Sequence, residues 1–238
     1  MIIMNQGNND KLSITLSRLY SQDANDRVKA AGELGEIGTP DIAHKLLEVA
    51  YQDEASTVRQ MAIQSYSEIL GLDSLDEIIK SASTHFDDYV KLYSIMIMGR
   101  LGTKKVYQPL LDLLSTEDTK IQAAVIRSMI HIQTNEFAQD IFDLLKKSNE
   151  TIIIRNCIEA LSLWKFSEAI NFIEENYFNV KQIDSELKTI SAFYLSVFKK
   201  KYGIKFLEQN DVDQFVRVNI NNITYKGGNG LLEASKLI

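Results

Sequence analysis

The sequence predicts an all-α solenoid of about six to seven stacked helical hairpins. Three observations predict it: an apolar phrase returns about every 32 positions, helix breakers are scarce, and each copy of the phrase divides into two helices at a short break. Only 2 prolines and 11 glycines occur in 238 residues. A chain rich in Leu, Ile, Ala, Lys and Glu with so few breakers favours long helical runs.

The phrase reads Asp26-Arg27-Val28-Lys29-Ala30-Ala31-Gly32-Glu33-Leu34-Gly35-Glu36-Ile37-Gly38 in its first copy. It returns as Val58-Arg59-Gln60-Met61-Ala62 through Tyr66 to Ile69-Leu70, and as Val90-Lys91-Leu92 through Met98-Gly99-Arg100-Leu101-Gly102. Weaker copies lead from Ile121-Gln122 to Met129, from Ile153-Ile154 to Leu161, and from Leu187-Lys188 to Leu195, and a partial one starts at Val216-Arg217. The anchors Leu34, Tyr66, Met98, Met129, Leu161 and Leu195 are spaced by 32, 32, 31, 32 and 34 residues. A fixed period of this length marks a repeat architecture.

Within a copy, Val58, Ala62, Tyr66 and Ile69 fall at i, i+4, i+8 and i+11, one stripe of a first helix. Breaks follow at Gly38-Thr39-Pro40, Gly71-Leu72-Asp73, Gly102-Thr103, Gln133-Thr134-Asn135 and Phe166-Ser167. At the first, Thr39 is expected to cap a helix that has Pro40 at its first position and Asp41 in its first turn. Second helices carry the apolar pairs Leu46-Leu47, Ile78-Ile79, Leu110-Leu111, Ile141-Phe142 and Phe172-Ile173, and polar turns such as Gln52-Asp53-Glu54 and Phe86-Asp87-Asp88 close each unit. Residues 11–22 read as an unpaired second helix with Leu12, Leu16, Leu19 and Tyr20 on one face. One hairpin cannot bury its apolar face alone, so the unit must recur. The repeat array is expected over 1–226, with a Gly-rich hinge and a short amphipathic tail over 227–238.

The phrase resembles the HEAT repeat, in particular the short subtype of phycobilisome lyases. The resemblance rests on Asp23, Arg27, Ala30, Ala31, Leu34, Gly35, Ile37 and Gly38 in the first copy. In the second it rests on Asp53, Val58, Arg59, Ala62 and Ile69, and in the third on Asp88, Val90, Lys91, Met98, Gly99, Leu101 and Gly102. It is densest over residues 11–120 and runs to about 178. It implies a right-handed superhelix whose second helices line a concave inner face. It also implies that a turn aspartate and the following arginine, Asp53 with Arg59 or Asp23 with Arg27, hold neighbouring repeats together.

Composition narrows the function classes. Residues 1–119 carry 11 Lys/Arg and 18 Asp/Glu, a net of −7; residues 120–238 carry 15 and 14, a net of +1. This lacks the basic footprint of a general nucleic-acid binder. The lone Cys157 forms no internal disulfide and lies in an apolar run, as a buried thiol does. No basic-then-apolar leader opens the chain and no window approaches a membrane span, so a cytoplasmic protein is expected. No catalytic constellation, metal site or cofactor is expected. The three histidines, His44, His85 and His131, sit at different repeat positions, and none precedes a glutamate as in the di-iron HEAT-type hydroxylases. Lys226-Gly227-Gly228-Asn229-Gly230 lacks the phosphate-loop pattern. The Lys199-Lys200-Lys201 and Lys205 group reads as charge at a helix C-terminus.

A non-enzymatic protein-interaction module, an adaptor or scaffold, is therefore expected. Reading outward from the apolar pairs, its concave second-helix face presents His44, Glu48, Tyr51, Glu77, Lys80, Tyr107, Asp112, Asp143 and Lys146. The resemblance also leaves a lyase-like module holding a small ligand or tetrapyrrole, and a nucleic-acid-associated subunit, as alternatives. Of 21 aromatic residues, 14 follow residue 136, with Phe193, Tyr194, Phe198, Tyr202 and Phe206 close in sequence. This region or the tail is a candidate for self-association.

Overall fold

The computed structural model describes residues 3–209, with side chains described from 10 to 207. The partial copy at Val216, the Gly-rich segment and the tail lie outside the described residues. The chain divides into two compact units, residues 1–134 and 135–238. Among the described residues every regular element is helical, and no helix is long and apolar enough to cross a membrane.

The first unit contains α1 (Ile3–Arg18), α2 (Ala24–Ile37), α3 (Pro40–Gln52), α4 (Ser56–Leu70), α5 (Leu75–Thr84), α6 (Asp88–Leu101), α7 (Tyr107–Leu114) and α8 (Thr119–Ile132). The first helices α2, α4, α6 and α8 stack on one another in one layer. Each second helix packs chiefly on the first helix that follows it: α3 on α4, α5 on α6, α7 on α8. By the same rule α1 packs on α2, the place of a second helix that has no first helix before it among the described residues. That helix ends at Arg18, and Tyr20, expected on its buried face, is exposed in the turn beyond while Leu19 is buried.

The apolar stripes do what their spacing predicts. Val58, Ala62 and Tyr66 are buried along α4, and Ile63 and Ser65 are buried as well, because α4 has neighbours on several sides. Of each second-helix pair one member enters the core (Leu46, Ile78, Leu110) and the other, Leu47, Ile79 or Leu111, is half-buried. Small residues set the layer spacing. A Cβ at Gly99 would lie 2.8 Å from Ser128 Cα, and the Ser128 hydroxyl donates to Ile95 O at 2.8 Å, so α6 and α8 meet almost backbone to backbone. The turn after α6 needs a left-handed residue, supplied by Gly102 at φ 61°; after α8 Gln133 adopts φ 60° in the same role.

Thr39 does not cap α3 as expected. Its hydroxyl instead donates to the Asp41 carboxylate, which holds that carboxyl below its ordinary value. Aspartates capping first helices are more regular: Asp23, Asp87 and Asp118 accept backbone N–H bonds from Asn25, Tyr89 and Lys120.

The arginine ladder differs from the expected pairing. Arg27 reaches forward to the next repeat, donating through Nε and Nη2 to Asp53 at 2.7 and 2.9 Å. Arg59 likewise bridges to Asp87, through Nε at 2.8 Å and through Nη2. Each Nη1 meanwhile donates to two carbonyls of the turn before its own helix, Ser21 and Gln22 for Arg27, Asp53 and Glu54 for Arg59. One guanidinium thus ties three segments, and a rigid five-donor fork is what that geometry requires. At the third junction Lys91 has a single nitrogen head and pairs with Asp88 in its own first turn instead. At the fourth, Gln122 keeps only the carbonyl half of the role, donating to Leu114 O and Thr116 O.

The second unit contains α9 (Ala138–Lys147), α10 (Thr151–Leu163), α11 (Ile170–Ile173, running into a π-turn over Glu174–Phe178), α12 (Ser185–Val197) and α13 (Lys201–Gln209). α9 packs on α10, α10 on α12, and α12 on α13. Its core is bulkier: Phe137, Ile141, Leu145, Ile153, Cys157, Leu161, Tyr194 and Leu195 are buried. Burial pushes the Cys157 thiol far above its ordinary value, as expected for a structural cysteine. The C-terminal aromatics do not form one group. Tyr194 is buried against Phe198 with its hydroxyl on Phe166 O, whereas Tyr202 and Phe206 gather round Phe178. Nor do the lysines share one helix end: Lys199 and Lys200 lie in the turn after α12, and Lys201 and Lys205 belong to α13.

Candidate functional site

On α3 the residues Ile42, Ala43, Leu46, Val49 and Ala50 are buried, which turns His44, Glu48 and Tyr51 to the other side at i, i+4 and i+7. On α5 the buried set is Leu75, Ile78, Ser81 and Ala82, which leaves Glu77 and Lys80 on the corresponding face. These five expected residues converge. Together with Leu47 and Gln52 they line one open depression of about 340 Å³ between the two successive second helices.

The floor of the depression is a fixed network. The Tyr51 hydroxyl donates to Glu77 Oε1 at 2.9 Å and lies 2.9 Å from Ser81 Oγ. With the phenolic proton committed to Glu77, the serine hydroxyl is the donor to Tyr51. Burial first, and the adjoining Glu77 carboxylate second, raise the Tyr51 phenol above its ordinary value, although the Ser81 bond opposes them. Lys80 Nζ donates to the same Glu77 oxygen at 2.9 Å and stands 5.5 Å from the centroid of the Tyr51 ring. The Lys80 side chain is 60% exposed and that of Glu77 only 22%, so the ammonium covers the carboxylate from the solvent side. Its bond to Glu77 raises the Lys80 pKa.

At the other end Glu48 is exposed, and among the described residues it makes no hydrogen bond or ion pair. It lies near Tyr20, whose phenol is raised by burial and then by the Glu48 charge. Behind the depression Tyr51 leans on His85, ring centroids 4.6 Å apart, and His85 stacks on Phe86 at 4.6 Å. His85 is only 1% exposed. Its Nε2 donates to Ala50 O at 3.0 Å and its Nδ1 accepts the Asp87 N–H at 3.0 Å, which defines a neutral ring. Burial holds its pKa below the ordinary 6.5.

The remaining expected residues do not join this depression. On α7, Asp112 is exposed and accepts from Gln108 at 2.8 Å, and Tyr107 is half-buried. In the second unit, on α9, Asp143 accepts from Lys146 Nζ at 2.5 Å and from Gln139 at 3.1 Å, and Lys146 stands 4.6 Å over the Phe142 ring. Sequence reasoning missed Leu47, Gln52 and Ser81. Gln52 and Ser81 follow Glu48 and Glu77 by one helical turn, a signal that i, i+4 spacing carries. Among the described residues no three His, Cys, Asp or Glu side chains are grouped to hold one ion.

Residues 75–162 match the sequence model of the HEAT-repeat family. No curated protein matches the chain significantly. Among solved structures, the complex of CpcE and CpcF of phycocyanin lyase from Nostoc sp. PCC7120 is similar at 14% identity and a TM-score of 0.40, over 90% of this chain and 93% of that one.

Proposed function

We propose that this chain, whose residues 75–162 match the HEAT-repeat family, is a protein-interaction module that captures a partner on the second-helix face of α3 and α5. The observation that carries this reading is the convergence of His44, Glu48, Tyr51, Glu77 and Lys80 on one depression. The face is made ready before a partner arrives. Leu46 and Ile78 fix the two helices in the core, and the Tyr51–Glu77–Ser81 bonds fix the side chains between them. Pre-ordered side chains lose little freedom on binding, so contacts made there convert more fully into affinity. Within the same unit, Asp112 on α7 is a further exposed second-helix position.

Photo-cross-linking in the native cell tests the reading. A benzophenone amino acid at position 48 or 44 is expected to give a discrete cross-linked protein, identified by mass spectrometry. The same group at position 29 or 36, exposed on α2, is expected to give none. Equal cross-linking from both helices, or from α2 alone, overturns the assignment of this face.

A further inference from the structure

Resting on that reading, we infer that the depression between α3 and α5 receives a basic side chain, a lysine or arginine presented by the partner protein. Four features of the site point to this chemistry. The first is an unequal balance of charge. The ammonium of Lys80 is already matched by Glu77 at 2.9 Å. Glu48, on the opposite helix α3, makes no ion pair among the described residues, so the lining holds two carboxylates against one ammonium. The charge left over in the depression is therefore negative.

The second feature is the ring. Tyr51 carries Lys80 at 5.5 Å from its centroid, so the site already displays, with a tethered cation of its own, how a ring and a carboxylate share an ammonium. The third is shape. Leu47 and the Tyr51 ring line the depression between Glu48 and Glu77, an apolar wall along which a long aliphatic stem can lie while its charged head meets a carboxylate. The fourth is the wider field. Residues 1–134 hold 13 Lys and Arg against 18 Asp and Glu, a net of −5, which attracts cationic segments and repels anionic ones.

Lys80 has a defined part in this arrangement. It is an internal competitor. An arriving guanidinium or ammonium either displaces it from Glu77 or settles on Glu48 beside it. Removing Lys80 therefore strengthens capture of a basic side chain, and removing Glu48 weakens it. A surface that merely collected cations by net charge would respond to every carboxylate alike.

The test uses the full chain and a fluorescein-labelled hexa-arginine peptide, with a hexaglutamate peptide as the opposite charge, read by fluorescence anisotropy at low salt. The wild type is expected to bind hexa-arginine and not hexaglutamate. Glu48→Gln is expected to weaken binding about three- to fivefold, and Lys80→Ala to tighten it about twofold, the range of single exposed charge contacts. Glu36→Gln, the same charge change on α2, is expected to shift it less than about 1.5-fold by the same scale. Circular dichroism checks that all three variants keep the wild-type fold. Absence of hexa-arginine binding, an equal loss in Glu36→Gln, or weaker binding in Lys80→Ala overturns the inference. If position 48 still cross-links a cellular partner after such a result, the interaction face stands and only its preference for a basic side chain falls.

Discussion

Replacing Asp87 with alanine removes the carboxylate on which the second rung of the ladder closes. The side chains of Arg59 and Asp87 are 11% and 5% exposed, so the pair is buried. Asp87 accepts from Ser56 Oγ at 2.6 Å, from Arg59 Nε at 2.8 Å and through Nη2, and from Tyr89 N at 2.8 Å. Truncation leaves the guanidinium buried with part of its donors unmatched, which typically costs about 3–5 kcal/mol. Here Arg59 keeps the Asp53 and Glu54 carbonyls at 2.6 and 3.0 Å and the Phe86 ring at 5.0 Å. The lower end, about 3 kcal/mol, is therefore expected. In a chain of this length that lowers the midpoint of thermal unfolding by roughly 6–12 °C.

Urea unfolding followed by circular dichroism measures the loss. If the two compact units unfold separately, the shift belongs to the transition of residues 1–134, and the other transition stays in place. Adding Arg59→Met to Asp87→Ala is expected to recover at least about 1 kcal/mol, because the stranded charge is then gone. Burial disfavours the Asp87 carboxylate, but bonds from Ser56 and Arg59 outweigh it and hold its pKa below the ordinary 3.8. The unfolded chain then binds a proton that the folded chain does not, so wild-type stability falls as pH drops below about 3.8. Asp87→Ala loses that part of the acid slope. A loss under about 1 kcal/mol, or a double variant as unstable as the two single variants added together, refutes the view that this pair joins the repeats.

Three further outcomes follow from the packing. His85 is folded as a neutral ring with its pKa below 6.5, so the unfolded chain takes up a proton first on acidification; stability is complete above about pH 6.5 and declines as pH falls toward the folded-state value. A His85→Asn variant, followed by urea midpoints between pH 5 and 8, is expected to be less stable and to lose that decline; a wild type with a flat profile tells against it. Gly99→Ala places a methyl group 2.8 Å from Ser128 Cα and is expected to cost about 1–3 kcal/mol. Gly32→Ala meets the flexible Met61 side chain, its Sδ at 3.4 Å, in mid-helix and is expected to gain about 0.5–1 kcal/mol, both read from denaturation midpoints.

Hairpins were legible because the core depends on short-range periodicity. Leu34, Met98, Met129, Leu161 and Leu195 are all fully buried, and Tyr66 is 8% exposed. What periodicity could not supply is which neighbour a side chain reaches. Arg27 to Asp53 spans 26 residues and Arg59 to Asp87 spans 28, and nothing within one copy tells a forward bond from one inside the same turn. The same aspartate serves both ends: Asp53 and Asp87 each accept a backbone N–H of their own turn and the guanidinium of the preceding repeat. Copies also fade for a physical reason. At Lys91 the ladder keeps a charge but lacks a fork, and at Gln122 it lacks the charge as well, although α6 and α8 still stack as α4 and α6 do.

The candidate site was legible only as a face. Spacing puts His44, Glu48 and Tyr51 on one side of α3, and Glu77 and Lys80 on one side of α5, but it says nothing of the packing that brings these two faces to one depression. Each second helix packs on the first helix after it, and in that arrangement Tyr51 of α3 reaches Glu77 and Ser81 of α5. Those bonds satisfy the acid at the floor and leave Glu48 open at the rim. The same packing that closes the core therefore decides which carboxylate is structural and which is free to meet another molecule. The two glutamates look alike in the sequence. Only Glu77 has Tyr51 and Lys80 within 2.9 Å.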